Sequence, residues 1–212
     1  LFSSRRKQVN RERRSRGVLR RLIVEQLEAR QLLTVSLPEL ISINQGGTAA
    51  GDSSSSFTEQ VLSADGRYYV FASNSSDLVP GDANGAADVF LRDLELGTVA
   101  LISRTASGAP ANNSSDAAVI SADGEFVAFY SYATDLDVTG TNSTSGYSQI
   151  YRWERGTGDI VLASPNAANT DGGNAYSYYP SISEDGQRIA FQSYGDDLVA
   201  GITDSNGYWV YD

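Results

Sequence analysis

The chain has 212 residues, with 16 Lys or Arg, 26 Asp or Glu, no Cys and no His. This composition excludes disulfides, thiolate sites, Ser-His-Asp triads and histidine metal sites. The first 30 residues hold ten basic residues and three Glu, whereas residues 31–212 hold six basic and 23 acidic residues. The acidic body disfavours nucleic acid as a partner.

The first predicted element is a basic N-terminal segment, residues 1–34. Between residues 18 and 33 the apolar side chains recur with helical spacing, so we expect this part to be helical or disordered. Charged residues interrupt the apolar run, which predicts no transmembrane span. The segment is alternatively a solvated basic helix without a targeting role, or a nucleic-acid arm, although no aromatic residues accompany its arginines.

Residues 35–212 are predicted to form one repeat domain. The turn sequence at Ser63–Gly66 recurs at Ser121–Gly124 and Ser183–Gly186, at offsets of 58 and 62 residues. Each turn leads into an apolar run that ends at Phe71, Phe129 or Phe191. Such runs predict strands, and Asp-Gly favours a hairpin. The offset exceeds the usual ~40–50 residues of a four-stranded propeller blade and leaves room for one long loop.

Each repeat continues with two further predicted strands, the second of which is the fourth of its blade. The expected blades are at about residues 60–103, 118–164 and 180–212, and a lone copy of the fourth strand precedes them at about residues 40–44. In a closed propeller such an N-terminal strand completes the last blade. Because closure takes about four to eight blades, we expect this chain to be an incomplete piece of a longer protein.

The repeat resembles a known family. Residues Ser63–Ser73, Asp77–Gly85 and Asp88–Leu94 are similar to the WD40-like, TolB-type β-propeller repeat, over roughly residues 40–212. The resemblance implies an all-β fold, with four-stranded antiparallel blades in a partial ring after the N-terminal arm. It also implies a module used for binding and display, and it does not imply an enzyme. The second copy departs from the pattern, because Thr141 stands at the place of Asp82.

A second resemblance concerns localisation. Leu27, Glu28, Arg30, Leu32 and Leu33 match the Leu-Glu-x-Arg-x-Leu-Leu segment near the N-terminus of large surface and secreted proteins of planctomycete-type bacteria. The match implies that export machinery recognises the arm and that the protein is secreted or on the cell surface. A periplasmic location is the alternative.

One loop has the composition of a calcium site. Asp82, Asn84 and Asp88 place oxygen-bearing side chains at positions 1, 3 and 7 around Gly85. Hard oxygen ligands suit Ca²⁺, which is the candidate cofactor. The distal Glu of an EF-hand is missing, however, and Asn-Gly is also an ordinary hairpin turn.

No catalytic residues are predicted. The pair Asp196-Asp197 has the chemistry of a glycosidase acid and base, but Asp197 recurs as Asp77 and Asp135, which favours a role in a turn. The Tyr-rich stretch Tyr176–Tyr179 predicts either a platform for carbohydrate or protein, or packing between blades.

Three functions fit these features. The preferred one is a non-enzymatic, secreted or cell-surface propeller that binds a protein or a glycan. The second is a propeller that supports a hydrolase domain elsewhere in a longer protein, and the third is a TolB-like periplasmic module that binds a partner.

Overall fold

The computed structural model describes residues 38–136, 146–203 and 206–212. Residues 39–212 form one compact unit, which we call the second unit, and the description below concerns it. The sorting motif and the helix predicted within residues 18–33 lie outside the described residues. The described part of the chain has no helix that could span a membrane.

Strands in three antiparallel sheets make up the regular structure of the second unit. The first sheet contains β1 (Ser55–Ser56), β2 (Tyr68–Ser73), β3 (Asp88–Asp93) and β4 (Thr98–Leu101). The second contains β5 (Ser115–Ile120), β6 (Phe126–Ser131), β7 (Gln149–Glu154) and β8 (Ile160–Leu162). The third contains β9 (Ser177–Ile182), β10 (Ile189–Ser193) and β11 (Gly207–Tyr211).

The predicted all-β propeller architecture is confirmed. Neighbouring strands along the chain pair in hairpin order within each sheet, as in the blades of a propeller. Phe71, Phe129 and Phe191 occupy equivalent positions in β2, β6 and β10, and all three are buried. The first strand of each sheet (β1, β5 and β9) begins a few residues before the start of the blade expected from the sequence. We call these three the innermost strands.

The sheets pack face to face around separate apolar cores. One core joins the first and second sheets and includes Val89, Phe129 and Ile102. Another joins the second and third sheets and includes Ile150 and Phe191. We call these contacts the first junction and the second junction. Each blade therefore buries its apolar residues against its neighbours.

The segment at residues 40–44 does not form a sheet strand with the described residues. Ile43 makes a single antiparallel bridge to Ala50. Ile41 packs beside Phe71 and Phe90 on the outer face of the first sheet. The segment therefore lies against the first sheet as a neighbouring blade would.

Candidate functional site

Repetition separates scaffold from candidate function in this protein. Each sheet has one end at its Ser-x-Asp-Gly turn, which we call the turn end. The opposite end, where the second strand leads into the long loop before the third, we call the loop end. Residues that recur in all three copies have a structural explanation, so a residue found in one copy alone is the better candidate for function.

The turn end is scaffold. The Ser63 hydroxyl donates to Asp65 at 2.6 Å, and the Asp65 carboxylate accepts the Arg67 backbone N–H at 3.0 Å. The second and third turns repeat both bonds. Each hydroxyl also accepts the N–H that opens the following strand, which fixes the hairpin.

Backbone contacts join neighbouring turns. The Ala64 N–H donates to the Ala122 carbonyl at 2.8 Å, and the Ala122 N–H donates to the Glu184 carbonyl at 2.9 Å. Gly124 and Gly186 have positive φ, and a Cβ at either would overlap an aromatic ring of the preceding sheet. These glycines are therefore needed for the close approach of neighbouring blades.

At the loop end, the recurring aspartates hold the connections between blades. Asp77, Asp135 and Asp197 each accept a backbone N–H from a residue more than 20 positions earlier, at 2.9–3.1 Å. Those earlier residues, Asp52, Asn112 and Asn174, accept a backbone N–H in return. Asp197 was predicted to act in a turn; the structure places it instead in this reciprocal clasp with Asn174, which explains why the residue recurs.

Six tyrosines at the loop end of the second junction form a continuous aromatic surface. They are Tyr130, Tyr132, Tyr147, Tyr176, Tyr178 and Tyr179, which we call the tyrosine platform. The rings of Tyr147 and Tyr176 meet edge to face with centroids 4.8 Å apart, and those of Tyr130 and Tyr178 do so at 5.3 Å. Such geometry adds stability beyond buried area alone.

The first junction has no tyrosine at the six equivalent positions. Strand register aligns Ser73 with Ser131, and Ser115 with Ser177. From these anchors, the residues that occupy the six platform positions at the first junction are Ala72, Asn74, Ala86, Ser114, Asp116 and Ala117. Every tyrosine of the platform thus replaces a small or polar residue, so the blade scaffold itself does not require the platform.

The platform can form hydrogen bonds as well as ring contacts. Tyr132 shares a hydrogen bond of 3.2 Å with the Tyr178 hydroxyl, and this bond and burial raise the pKa of Tyr132 to about 12. Burial, followed by the nearby Asp116 charge, also raises the pKa of Tyr130. Tyr179 is 74% exposed and Tyr176 is 39% exposed, so the platform offers accessible ring faces as well as hydroxyl groups.

A cleft continues from the platform along the innermost strands. It has a volume of about 420 Å³, and Gln60, Ala117, Val119, Tyr179 and Pro180 are among its lining residues. Ala117 and Tyr179 occupy the same position in β5 and β9, and both have φ of 53°. A left-handed backbone at a residue other than glycine costs energy and is found more often at binding sites than elsewhere.

The predicted calcium ligands lie together at the loop end of the first sheet. Asp88 is fully buried, and burial raises its pKa to about 6. Its carboxylate accepts the Ser103 hydroxyl at 2.5 Å and the Asn84 side-chain N–H at 2.7 Å. Asp82 is also buried, and its charge contributes to the raised pKa of Asp88.

The orientation of Asn84 is set by two backbone groups. Its amide nitrogen donates to the Ala111 carbonyl at 2.9 Å, while its amide oxygen accepts the Ala86 N–H at 2.9 Å. Asn84 therefore presents a donor, and not an oxygen ligand, to Asp88. Calcium binding would require Asn84 to rotate or to release Asp88, because a cation needs the oxygen.

In the second sheet, one side chain makes the hydrogen bonds that Asp88 and Asn84 make together in the first. Gln149 occupies the position of Asp88, and its amide oxygen accepts the hydroxyl of Ser164, the counterpart of Ser103. Its amide nitrogen donates to the Gly173 carbonyl at 2.8 Å, the counterpart of the bond from Asn84 to Ala111. A structural role in hydrogen bonding therefore explains why Asp88 and Asn84 occur together in the first sheet.

No group of three His, Cys, Asp or Glu side chains able to hold a metal ion occurs among the residues that the structure describes. Calcium binding by Asp82, Asn84 and Asp88 stays a prediction. In the second repeat the corresponding loop, with Thr141, lies outside the described residues.

Sequence reasoning found half of the platform. Tyr176, Tyr178 and Tyr179 form a run in the sequence, whereas Tyr130, Tyr132 and Tyr147 come from the second repeat and are brought in by stacking. The signal that would have found them is the repeat alignment, in which each stands where the first copy has a smaller residue. Ring contacts between the second and third sheets confirm packing between blades for this run, whereas binding of carbohydrate or protein stays a prediction.

Comparison with known proteins finds no matching family model and no matching curated protein. Solved structures similar to this chain include one assigned to TolB from Agrobacterium tumefaciens, at 16% identity and a TM-score of 0.44 over 74% of this chain and 44% of that one. TolB from Acinetobacter baumannii is similar at 19% identity and a TM-score of 0.41, over 76% of this chain and 29% of that one. The tricorn protease is similar at 20% identity and a TM-score of 0.38, over 63% of this chain and 10% of that one. The chain thus spans less than half the length of each.

Proposed function

We propose that this protein is a non-enzymatic binding module that holds a protein or glycan partner on the tyrosine platform. The observation that supports the proposal is the replacement of six small or polar residues by six tyrosines at equivalent positions of one junction. Each tyrosine supplies a large, stiff contact surface with a polar tip, which suits both sugar rings and extended peptides.

Exposure and charge support the same surface. Tyr147, Tyr176 and Tyr179 each expose more than a third of their surface. The raised pKa of Tyr132 keeps its hydroxyl protonated throughout the physiological pH range. An aromatic surface on an otherwise acidic body favours a neutral partner, because acidic polymers are repelled.

The test compares variants of the platform with a matched variant outside it. Tyr176→Ala and Tyr179→Ala each remove an exposed platform ring, whereas Tyr208→Ala removes a ring that is 86% exposed on the third sheet away from the platform. Binding is measured by calorimetry against neutral oligosaccharides, cellohexaose and chitohexaose, and against a library of extended peptides.

The proposal expects one of these ligand classes to bind, and the platform variants to weaken binding at least about tenfold, the loss of roughly one aromatic contact. Tyr208→Ala should bind as the unaltered chain does. Equal weakening by Tyr208→Ala would place the site elsewhere, and no binding to either class would contradict the function.

We also propose that the protein is secreted or displayed at the cell surface through its N-terminal arm. The support is the sequence motif that includes Leu27, Arg30 and Leu33. Deletion of residues 1–34 should abolish export in a planctomycete-type host while leaving the circular dichroism of the repeat domain unchanged. Export of the shortened protein would show that the arm has no targeting role.

A further inference from the structure

The tyrosine platform holds most of the side chains that an oxidant in solution can reach. The sequence contains no Cys, Met or His, and it contains 12 Tyr and two Trp. Trp153 is buried in the core of the first junction, and Trp209 is partly buried against the core of the second. Of the five exposed tyrosines among the described residues, three belong to the platform: Tyr147, Tyr176 and Tyr179. Oxidation of this chain is therefore directed to tyrosine, and chiefly to the platform.

One pair of platform tyrosines brings its hydroxyl groups together. Tyr132 directly follows β6 of the second sheet, Tyr178 belongs to β9 of the third, and the two are 46 residues apart in the chain. Their hydroxyl oxygens lie 3.2 Å apart and share a hydrogen bond. The ring carbons ortho to these hydroxyls are therefore neighbours across the junction between two sheets.

This arrangement matches the order of atoms in dityrosine. The bond that makes dityrosine joins the carbon ortho to one hydroxyl to the carbon ortho to the other, so the two oxygens stay side by side in the product. Other close pairs are oriented differently. Tyr147 and Tyr176 meet at 80°, and Tyr130 and Tyr178 meet at 86°, so that the edge of one ring points at the face of the other.

We propose that oxidation joins Tyr132 and Tyr178 as a dityrosine that links the second sheet covalently to the third. The oxidant is hydrogen peroxide, acting through a one-electron catalyst of the haem peroxidase class. Each hydroxyl loses one electron and one proton, and the two phenoxyl radicals then form the bond between their ortho carbons. The hydrogen on each of these carbons moves to the oxygen and restores the phenol. One peroxide takes up the two electrons and two protons and is reduced to two molecules of water.

The exposed rings give the oxidant a point of entry to this pair. Tyr132 and Tyr178 are half-buried, whereas Tyr176 is 39% exposed. The ring of Tyr176 stacks on that of Tyr178 with centroids 5.7 Å apart, and it lies 6.3 Å from that of Tyr132. A radical formed at Tyr176 can pass to either partner, because one tyrosine oxidises another at little cost in free energy.

The link strengthens the loop end of the second junction. At the turn end, the backbone bond from Ala122 to Glu184 already joins the second and third sheets. A covalent bond between residues 46 apart lowers the entropy of the unfolded chain, as a disulfide does, and this sequence has no Cys to form one. The modification needs only the second and third sheets, and it does not depend on a ligand of the tyrosine platform.

The test oxidises the full chain at low micromolar concentration with a haem peroxidase and hydrogen peroxide. The expected product is a monomer that has dityrosine fluorescence and a raised melting temperature. Trypsin should release peptides 105–152 and 156–188 of this product as one linked species, lighter than their sum by two hydrogens. Fragmentation of the linked species in the mass spectrometer should place the bond at Tyr132 and Tyr178.

Single substitutions separate this pair from the other tyrosines. Tyr132→Phe and Tyr178→Phe each remove one of the two coupling hydroxyls and should remove most of the dityrosine fluorescence of the monomer. Tyr194→Phe, at the position equivalent to Tyr132, and Tyr208→Phe, at a ring that is 86% exposed, are the matched controls and should leave it unchanged. Oxidation in urea should also remove it, because unfolding separates the two rings.

Several results would overturn the proposal. Undiminished fluorescence in either Tyr132→Phe or Tyr178→Phe would show that a different pair couples, as would a bond mapped to other tyrosines. Equal loss in the two controls would show that the geometry of the platform does not direct the reaction. Oxidation to covalent dimers alone, or without any dityrosine, would show that the two hydroxyls are not placed for coupling.

Discussion

The two junctions have similar apolar cores but differ at the loop end, which is polar in the first junction and aromatic in the second. At the turn end the two junctions share the same backbone contacts, through Ala64 to Ala122 and Ala122 to Glu184. At the loop end the first junction has Ser56 hydrogen-bonded to Asp116, and the second has the tyrosine platform. Shared contacts at the turn end and different side chains at the loop end indicate that the blade scaffold fixes the first and leaves the second free to vary.

The largest effect should come from the phenylalanines in the centres of the two cores. Phe129→Ala should lower the free energy of unfolding by about 3–5 kcal/mol, because it leaves a cavity in the larger core. Phe191→Ala should cost less, since its core is smaller and the third sheet can collapse further. Urea denaturation of both variants measures the difference. An equal or greater cost at Phe191 would contradict the view that the first junction is the more tightly packed.

A smaller effect is expected at the glycines of the turn end. Gly124→Ala and Gly186→Ala should each cost about 2–4 kcal/mol, because the backbone is left-handed and the new methyl group would displace an aromatic ring. Gly66 has the same conformation, but no atom lies within 4 Å of its Cβ position. Gly66→Ala is therefore the matched control and should cost about 1–2 kcal/mol.

Thermal denaturation of the three glycine variants separates backbone strain from the contact between blades. If Gly66→Ala cost as much as the other two, strain alone would explain all three. The ring contact would then have no measurable role in joining the sheets.

The sequence predicted the scaffold well and the loop end poorly, for physical reasons. The turn motif, the buried phenylalanines and the order of strands depend on neighbouring residues, so the repeat revealed them. The clasp between Asp77 and Asp52 joins positions far apart in the chain, and only the folded repeat brings them together. The predicted starts of the blades fall a few residues after the observed starts of β1, β5 and β9. In β5 the reason is that Ser115–Ile120 lacks a regular apolar alternation and contains a bulge.

The next prediction concerns Asp88, which stands where the second sheet has the neutral Gln149. Burial raises the pKa of Asp88 in the folded protein to about 6, above its ordinary value of 3.8. The protonated form is therefore favoured by folding. The resulting stability is fully present below pH 3.8 and is lost as the pH rises through about 6.

Stability measured by urea denaturation should thus contain a component of about 1–3 kcal/mol that disappears between these pH values. Asp88→Asn should abolish that component, and it tests the calcium prediction at the same time. Calcium binding at Asp82 and Asp88 predicts that millimolar Ca²⁺, but not Mg²⁺, raises the melting temperature of the unaltered chain alone. If the pH dependence survived in Asp88→Asn, another group would be its source.

The smallest effect is expected within the tyrosine platform itself. Tyr132 and Tyr194 hold equivalent positions directly after β6 and β10. Among the described residues, the Tyr132 hydroxyl is hydrogen-bonded to a tyrosine, Tyr178, whereas the Tyr194 hydroxyl is not. Tyr132→Phe should cost about 0.5–1.5 kcal/mol, the net value of one hydrogen bond, and Tyr194→Phe should cost close to nothing.

The hydrogen bond to Tyr178, together with burial, raises the pKa of Tyr132 from 10.0 to about 12. The contribution of Tyr132 to stability is therefore present below pH 10 and lost as the pH approaches 12. Absorbance titration of the phenolates should accordingly lose a step near pH 12 in Tyr132→Phe and keep it in Tyr194→Phe. Loss of the step in both variants would mean that the hydrogen bond within the platform does not raise the pKa of Tyr132. The two junctions would then differ in shape alone.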